Sequence, residues 1–347
     1  MDDALVPYTY DLPRDRIAQR PAHPPESARM LVVDRRSGEV QHSDFSRIAC
    51  FLRRGDHLVF NETKVLPARL FGALASQPGS EVDVLLVEQQ GPQRWLCLGR
   101  PLRKIKAEGR LVFGDKLRAV VVPSGHVDRV VLDFEACDGS SSVAGLMHEV
   151  GTMPIPPYIR SGHGDEQDRK DYQSVFARHE GSIAAPTASL HFTESLVAQL
   201  RTDPGADVST VTLHVGTASF QPVLMDGALR APAREHFEVR GEVLQGLKES
   251  KARGHRVIAV GTTVTRALET AAGSSSSIEK GGTELFIKPG FEFTLVDVLV
   301  TNFHQPGTTH LLLVEALLGR SLVAKCYEEA LREGYRFLSY GDGMLIL

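Results

Sequence analysis

Apolar residues in this 347-residue chain fall into two textures. Between about 64 and 150, short apolar runs recur at 65–70, 82–87, 95–98, 111–113, 120–122 and 130–134, punctuated by Gly79, Gly91, Gly109, Gly114 and Gly125. Turn-separated runs of strand length with little helical periodicity predict an antiparallel sandwich or small barrel. On either side the pattern differs. Buried-strand runs at 30–34, 57–60, 211–215, 257–260 and 295–300 accompany helix-period stretches at 194–201, 242–253, 264–272, 311–318 and 325–333. Such alternation predicts a sheet layered with helices. The chain thus divides into an α/β domain made of 1–63 and 151–347 and an all-β module inserted at 64–150. Ser274 to Ser277 reads as a flexible loop.

Composition narrows the chemistry. A 42% hydrophobic fraction supports a sizeable core, and a net charge of -4 gives no global field toward nucleic acid or anionic membrane. The four cysteines, Cys50, Cys97, Cys137 and Cys326, are scattered without zinc spacing, which predicts no metal and a reducing compartment. The start lacks a signal peptide's basic and apolar regions, and no apolar run is long enough to span a bilayer. A soluble cytoplasmic protein is expected.

One stretch, residues 182 to 220, concentrates candidate chemistry. His191 and His214 each end an apolar segment among small residues (Ala184, Ala185, Ala188, Ser189, Gly216) that let a ligand approach backbone closely. Either imidazole taken alone reads first as a hydrogen-bonded core residue, and two such segments in succession favour a pocket floor instead. Val260-Gly261-Thr262-Thr263 reads as a strand turning into a helix, whose N-terminus attracts a carboxylate or phosphate. Arg266, one turn in, adds a donor there, or pairs with Glu269 or Glu62. His304 follows the run at 295–300, where open α/β sheets gather ligands. Asp342 supplies a carboxylate beside a glycine, for a site or for a turn. Tyr158 and Tyr172 flank a polar loop and could stack on a purine or simply pack. Arg94, Arg100, Arg103, Lys104, Lys106 and Arg110 surround Trp95 and form either a phosphate-binding patch or a solvated face.

These segments together resemble the S-adenosylmethionine:tRNA ribosyltransferase-isomerase family of queuosine biosynthesis. The likeness covers nearly the whole chain, from Tyr10-Asp-Leu-Pro through Asn61-Glu-Thr-Lys-Val-Leu-Pro-Ala-Arg69, Pro154-Ile-Pro-Pro-Tyr158, Ala185-Pro-Thr and Leu190-His-Phe-Thr. It continues in Leu213-His-Val-Gly, Phe220-Gln-Pro-Val, Ala259-Val-Gly-Thr-Thr, Arg266, Leu268-Glu269, Thr301-Asn-Phe-His304 and Ser339-Tyr-Gly-Asp342. The resemblance implies an α/β main domain with a mixed sheet and an inserted small antiparallel β-barrel domain. It also implies a reaction that moves and isomerises the ribosyl part of S-adenosylmethionine onto a 7-aminomethyl-7-deazaguanine base in a tRNA anticodon stem-loop. A base removes a C5′ proton acidified by the sulfonium, adenine leaves, the aminomethyl group attacks, and methionine departs as an epoxycyclopentane ring closes. No cofactor beyond S-adenosylmethionine as substrate is implied, and neither metal nor membrane takes part.

For that chemistry, position and residue type point to His191, His214, His304 and Glu235 as catalytic, with the base among the three histidines. A His191→Ala variant is then expected to bind S-adenosylmethionine without releasing adenine. Tyr172, Pro186, Thr187, Gly216, Gly261, Thr262, Thr263, Arg266 and Asp342 would contact S-adenosylmethionine, and Arg69, Arg100, Arg103 and Lys104 would contact RNA. Several positions depart from the family pattern: Ser189 and Ala218-Ser219 replace Gly and Gly-Thr, Gln305 replaces Leu, and His310 replaces an aliphatic residue. The paired histidines expected before Glu235 are Ala231-Pro-Ala-Arg here. These departures suit two alternatives: a paralogue that uses S-adenosylmethionine on a small acceptor or cleaves it without tRNA, and a silent binding protein.

Overall fold

The strands His57–Asn61, Val257–Val260 and Val298–Asn302 are buried at every position. Burial on both faces is the condition of parallel strands covered by helices, and it explains why these runs lack alternation. With Asp207–Leu213 they form four adjacent parallel strands at the centre of a nine-stranded sheet. The order is Lys280–Thr283, Glu235–Glu238, Asp207–Leu213, His57–Asn61, Val257–Val260, Val298–Asn302, Gly343–Ile346, Arg29–Asp34 and Glu39–Asp44. Gly343–Ile346 runs antiparallel to Val298–Asn302, and Glu235–Glu238 runs antiparallel to Asp207–Leu213, so the sheet is mixed.

The computed structural model describes residues 8–137, 139, 143–216, 224–225, 228–229, 231–273 and 279–347. The Ala218-Ser219 and Phe220-to-Val223 positions and the Ser274-to-Ser277 loop lie outside the described residues. Two compact units result: residues 1–64 with 173–347, and residues 65–172. The second boundary falls at Tyr172/Gln173 rather than at 150/151, because the chain past Val150 packs back on its own unit. Arg69 and Thr152 exchange backbone bonds of 3.2 and 2.8 Å, and Arg169 donates to the carbonyl of Gly151 at 2.8 Å.

In the first unit, helices Glu194–Thr202 and Thr309–Leu318 begin where Thr193 and Thr308 accept the backbone N–H of Leu196 and Leu311. Helices Gly241–Ala252, Thr262–Ala272 and Arg320–Arg332 complete the set expected from the periodicity. The core beneath one sheet face gathers Met30, Phe45, Leu58, Phe60, Phe192 and Ile258.

The second unit is a closed barrel of six antiparallel strands: Val130–Ala136, Arg94–Arg100, Gln77–Gln89, Arg69–Leu74, Arg110–Phe113 and Leu117–Val122. Closure removes the free edges that such short strands would otherwise expose. The basic stretch near residue 103 is a helix, Leu102–Glu108, anchored by the buried Ile105. No helix among the described residues is long and apolar enough to cross a membrane.

Candidate active site at the carboxyl edge of the parallel strands

Strand register, more than proximity in sequence, assembles this site. The four parallel strands end at Leu213, Asn61, Val260 and Asn302, which places His214, Gly261 and His304 just beyond one edge. The antiparallel neighbours begin there: Gly343 pairs with Asn302, and Phe237 pairs with Leu213. Asp342 and Glu235 are thereby brought to the same edge. Carboxyl ends of parallel strands are where open α/β sheets bind ligands.

At the centre of that edge, Gly261 adopts φ 104°, a left-handed conformation that favours glycine, and turns the chain into helix Thr262–Ala272. The first N–H groups of a helix have no intrahelical acceptor and carry its positive end. A Cβ at Gly261 would meet Ala188 Cβ at 3.7 Å, so the 184–191 segment packs directly on this turn. Asn61 Nδ2 donates to Thr263 Oγ1 at 3.3 Å and to the Leu213 carbonyl at 2.9 Å, tying three strand ends together.

His214 lies half-buried on one side. Thr63 donates its hydroxyl proton to Ser182 Oγ at 2.8 Å, so it can only accept from His214 Nδ1, also at 2.8 Å. The ring therefore carries its proton on Nδ1 and keeps the Nε2 lone pair. Burial, then the charges of His236 and His179, holds its pKa below 6.5. Gly181 packs against the imidazole, where a Cβ would come within 2.8 Å of the ring.

His191 and His304 are placed differently. His191 ends a short 3-10 helix, Thr187–His191, and stacks on Phe45 at 4.0 Å between ring centroids. Its Nε2 accepts from Asn302 Nδ2 at 3.3 Å, while Asn302 Oδ1 accepts the Thr187 hydroxyl at 2.9 Å. Burial, with a further push from Arg336, lowers its pKa to about 3, so it stays neutral. His304 Nε2 bonds Thr301 Oγ1 at 2.8 Å, and its ring stacks on His310 at 5.2 Å. Its backbone is held on both sides, the N–H donating to Tyr327 and the carbonyl accepting from Tyr10.

Glu235, at the same edge, belongs to a buried ion pair. Arg266 pairs with Glu235, not with Glu269 or Glu62, and also donates to the carbonyls of Leu285 at 3.1 Å and Thr283 at 3.5 Å. The other Glu235 oxygen accepts the Gly216 N–H at 2.9 Å. A small pocket beside the pair is lined by Glu235, Arg266, His310 and the apolar Leu285, Ile287 and Leu313. Burial, then the Arg266 charge, lowers the His310 pKa to about 4.

Three sequence expectations change here. Asp342 is a brace: its oxygens accept the N–H groups of Arg29 at 3.0 Å and Arg336 at 2.7 Å, which leaves it little to offer a ligand. An Asp342→Ala variant should lose about 2–3 kcal/mol in denaturant unfolding by orphaning these amides, with S-adenosylmethionine affinity per folded molecule unchanged. A tenfold loss of affinity at full stability would restore it as a contact. Tyr172 is core of the second unit at 0% exposure, so its ring is not offered to adenine. Arg69, in the same unit, is held bidentate by Asp83 at 2.9 and 2.6 Å and by the Gly162 carbonyl, leaving no free face for phosphate. Arg100, Arg103 and Lys104 are exposed there and make no ion pair among the described residues.

Asn302, Asn61 and Thr63 organise the site without having been singled out. For Asn61 and Asn302 the one sequence signal is a polar residue closing a buried, mostly apolar strand; Thr63 follows Asn61 by two residues.

A family model described as queuosine biosynthesis protein matches residues 5–346. The S-adenosylmethionine:tRNA ribosyltransferase-isomerase of Symbiobacterium thermophilum is 42% identical over 99% of both chains. That of Dinoroseobacter shibae is 44% identical over 99% of this chain and 98% of its own. A crystal structure of the S-adenosylmethionine tRNA ribosyltransferase from Thermotoga maritima superposes with a TM-score of 0.55 at 34% identity, covering 98% of this chain and 99% of that one. Sequence and fold agree along the full length, and the chain belongs to the queuosine biosynthesis family that contains these ribosyltransferase-isomerases.

Proposed function

We propose that this protein is an S-adenosylmethionine:tRNA ribosyltransferase-isomerase, acting on S-adenosylmethionine and a tRNA that carries 7-aminomethyl-7-deazaguanine. The observation that carries the site assignment is the tautomer of His214. Its Nδ1 proton is committed to Thr63, its Nε2 has no partner among the described residues, and the strand it follows is tied through Asn61 to the helix that starts after Gly261.

His214 is the base that removes the C5′ proton. A neutral imidazole with a lowered pKa is already deprotonated at neutral pH and needs no further activation. His191 acts as a positioning residue, since its Nε2 is occupied by Asn302 and deep burial disfavours the imidazolium it would form. The methionine carboxylate meets the N-terminal turn at Gly261, Thr262 and Thr263. Pro186 and Thr187, next to that turn through Ala188, form a wall for adenine, and the Gly216 backbone gives close approach. Glu235 and Arg266 hold the flank as a pair. Arg100, Arg103 and Lys104 offer contacts to RNA phosphates. The protein works in the cytoplasm, where charged tRNA substrates reside.

The test is incubation with S-adenosylmethionine, with and without tRNA bearing the aminomethyl-deazaguanine base. The expected result is stoichiometric adenine, methionine and epoxyqueuosine only when that tRNA is present. Adenine release at the same rate without RNA would overturn the assignment of the acceptor.

A further inference from the structure

Away from the Gly261 turn, the sheet has an open edge. Of the Asp207–Leu213 strand only Thr212 and Leu213 pair with Glu235–Glu238, so its earlier part has no strand neighbour on that side among the described residues. Asp207 donates to the Asp56 carbonyl and Val211 accepts from Glu62, which turns both toward the His57–Asn61 strand. By alternation, the N–H and C=O groups of Val208 and Thr210 face the other way. A groove of about 400 Å³ runs along them, lined among others by Arg178, Arg201, Arg240, His57, Ser209 and Thr210.

Its electrostatics are lopsided. Glu62, 1% exposed, holds Arg240 at 3.0 Å, Arg178 at 3.7 Å and His179 at 3.8 Å on one carboxylate. Two guanidiniums around one buried acid leave a surplus positive charge facing the groove. Arg201 adds another and makes no ion pair among the described residues. The acidic lining residue, Glu242, is 81% exposed and solvated, 3.5 Å from Arg240. Deeper in, His57 is 8% exposed; its Nε2 bonds Ser209 at 2.7 Å and its Nδ1 has no partner among the described residues. Glu62, which holds two of these arginines, is the sequence neighbour of Thr63, whose hydroxyl bonds His214.

We infer that this groove is a binding track for the phosphodiester backbone of the substrate RNA, with Arg178, Arg201 and Arg240 as the phosphate contacts. Guanidinium forks match phosphate geometry, and backbone N–H groups along the open strand add donors. An extended acidic peptide is the competing occupant; three guanidiniums lining one groove, on a protein whose proposed substrate is a tRNA, favour RNA. The inference rests on the tRNA-modifying reading above.

An Arg178→Ala/Arg201→Ala double variant separates the two. Both side chains lie at the surface, and neither belongs to the S-adenosylmethionine site. Affinity for the substrate tRNA is measured across about 50–200 mM salt, alongside S-adenosylmethionine affinity and circular dichroism. The inference predicts a tRNA affinity loss of about tenfold or more at low salt. It also predicts a log–log salt slope reduced by about two, close to one for each arginine removed. S-adenosylmethionine affinity and the spectrum should not change. An unchanged salt slope, or a groove that binds a poly-glutamate peptide more tightly than tRNA, would overturn it. If the double variant loses tRNA affinity while the wild type binds tRNA but releases no adenine, the groove stands and the proposed reaction falls.

Discussion

Replacing His214 with Asn should reduce adenine release by about 10²–10⁴-fold, the range for loss of a positioned general base. Asparagine is the informative choice because its Nδ2 can reproduce the Nδ1 bond to Thr63, while nothing replaces the free Nε2. S-adenosylmethionine affinity, read by calorimetry, should stay within about threefold, since the base acts on the transition state more than on the bound substrate. The pH profile carries the sign. Burial and the nearby His236 and His179 hold the folded-state pKa below 6.5, so the neutral, active form persists to lower pH than in free histidine. Turnover of the wild type should therefore rise on the acid side with a midpoint below 6.5 and be flat through neutrality. That acid limb should disappear in the Asn variant. A midpoint above neutrality, or an Asn variant that retains turnover, would transfer the role to another residue.

The second large effect concerns stability. Arg266 is 11% and Glu235 3% exposed by side chain, and the pair is supported by Gly216 and the Leu285 carbonyl. Arg266→Met leaves a buried carboxylate without its counter-charge, and the expected loss is about 3–5 kcal/mol. Adding Glu235→Gln should recover a substantial part, because the lone charge is then gone. Denaturant unfolding of the wild type, both single variants and the double variant closes the cycle. If the Arg266→Met variant loses less than about 1 kcal/mol, the pair is not the buried keystone of this flank.

Much of this was legible from residues alone. The parallel strands announced themselves as apolar runs without alternation, and the helices as 3.6-residue periods closed by Gly254, Gly273 and Gly334. The inserted barrel showed as six short runs at turn spacing. Short strands such as Glu235–Glu238, Lys280–Thr283 and Gly343–Ile346 were not visible, because their pairing partners lie far along the chain. The same limit governed the site. Motif position suggested Gly261, His191, His214 and His304, but only register could put Asp342 beside Arg29 and Glu235 beside Gly216. Charge partners were the hardest to foresee: Arg266 chose Glu235, while Glu269 went to the amides of Thr294, Leu295 and Val296. A sequence shows which groups can pair, and the sheet order decides which of them meet.

The most direct measurement is a structure with S-adenosylmethionine or a non-reactive sulfonium analogue bound. The ribose C5′ should lie within about 3–3.5 Å of His214 Nε2, in reach of proton transfer, with the methionine carboxylate at the amides of Thr262 and Thr263. A nucleoside seated away from the carboxyl edge of the parallel strands, or one that turns its C5′ carbon toward His191 or His304, would contradict the account.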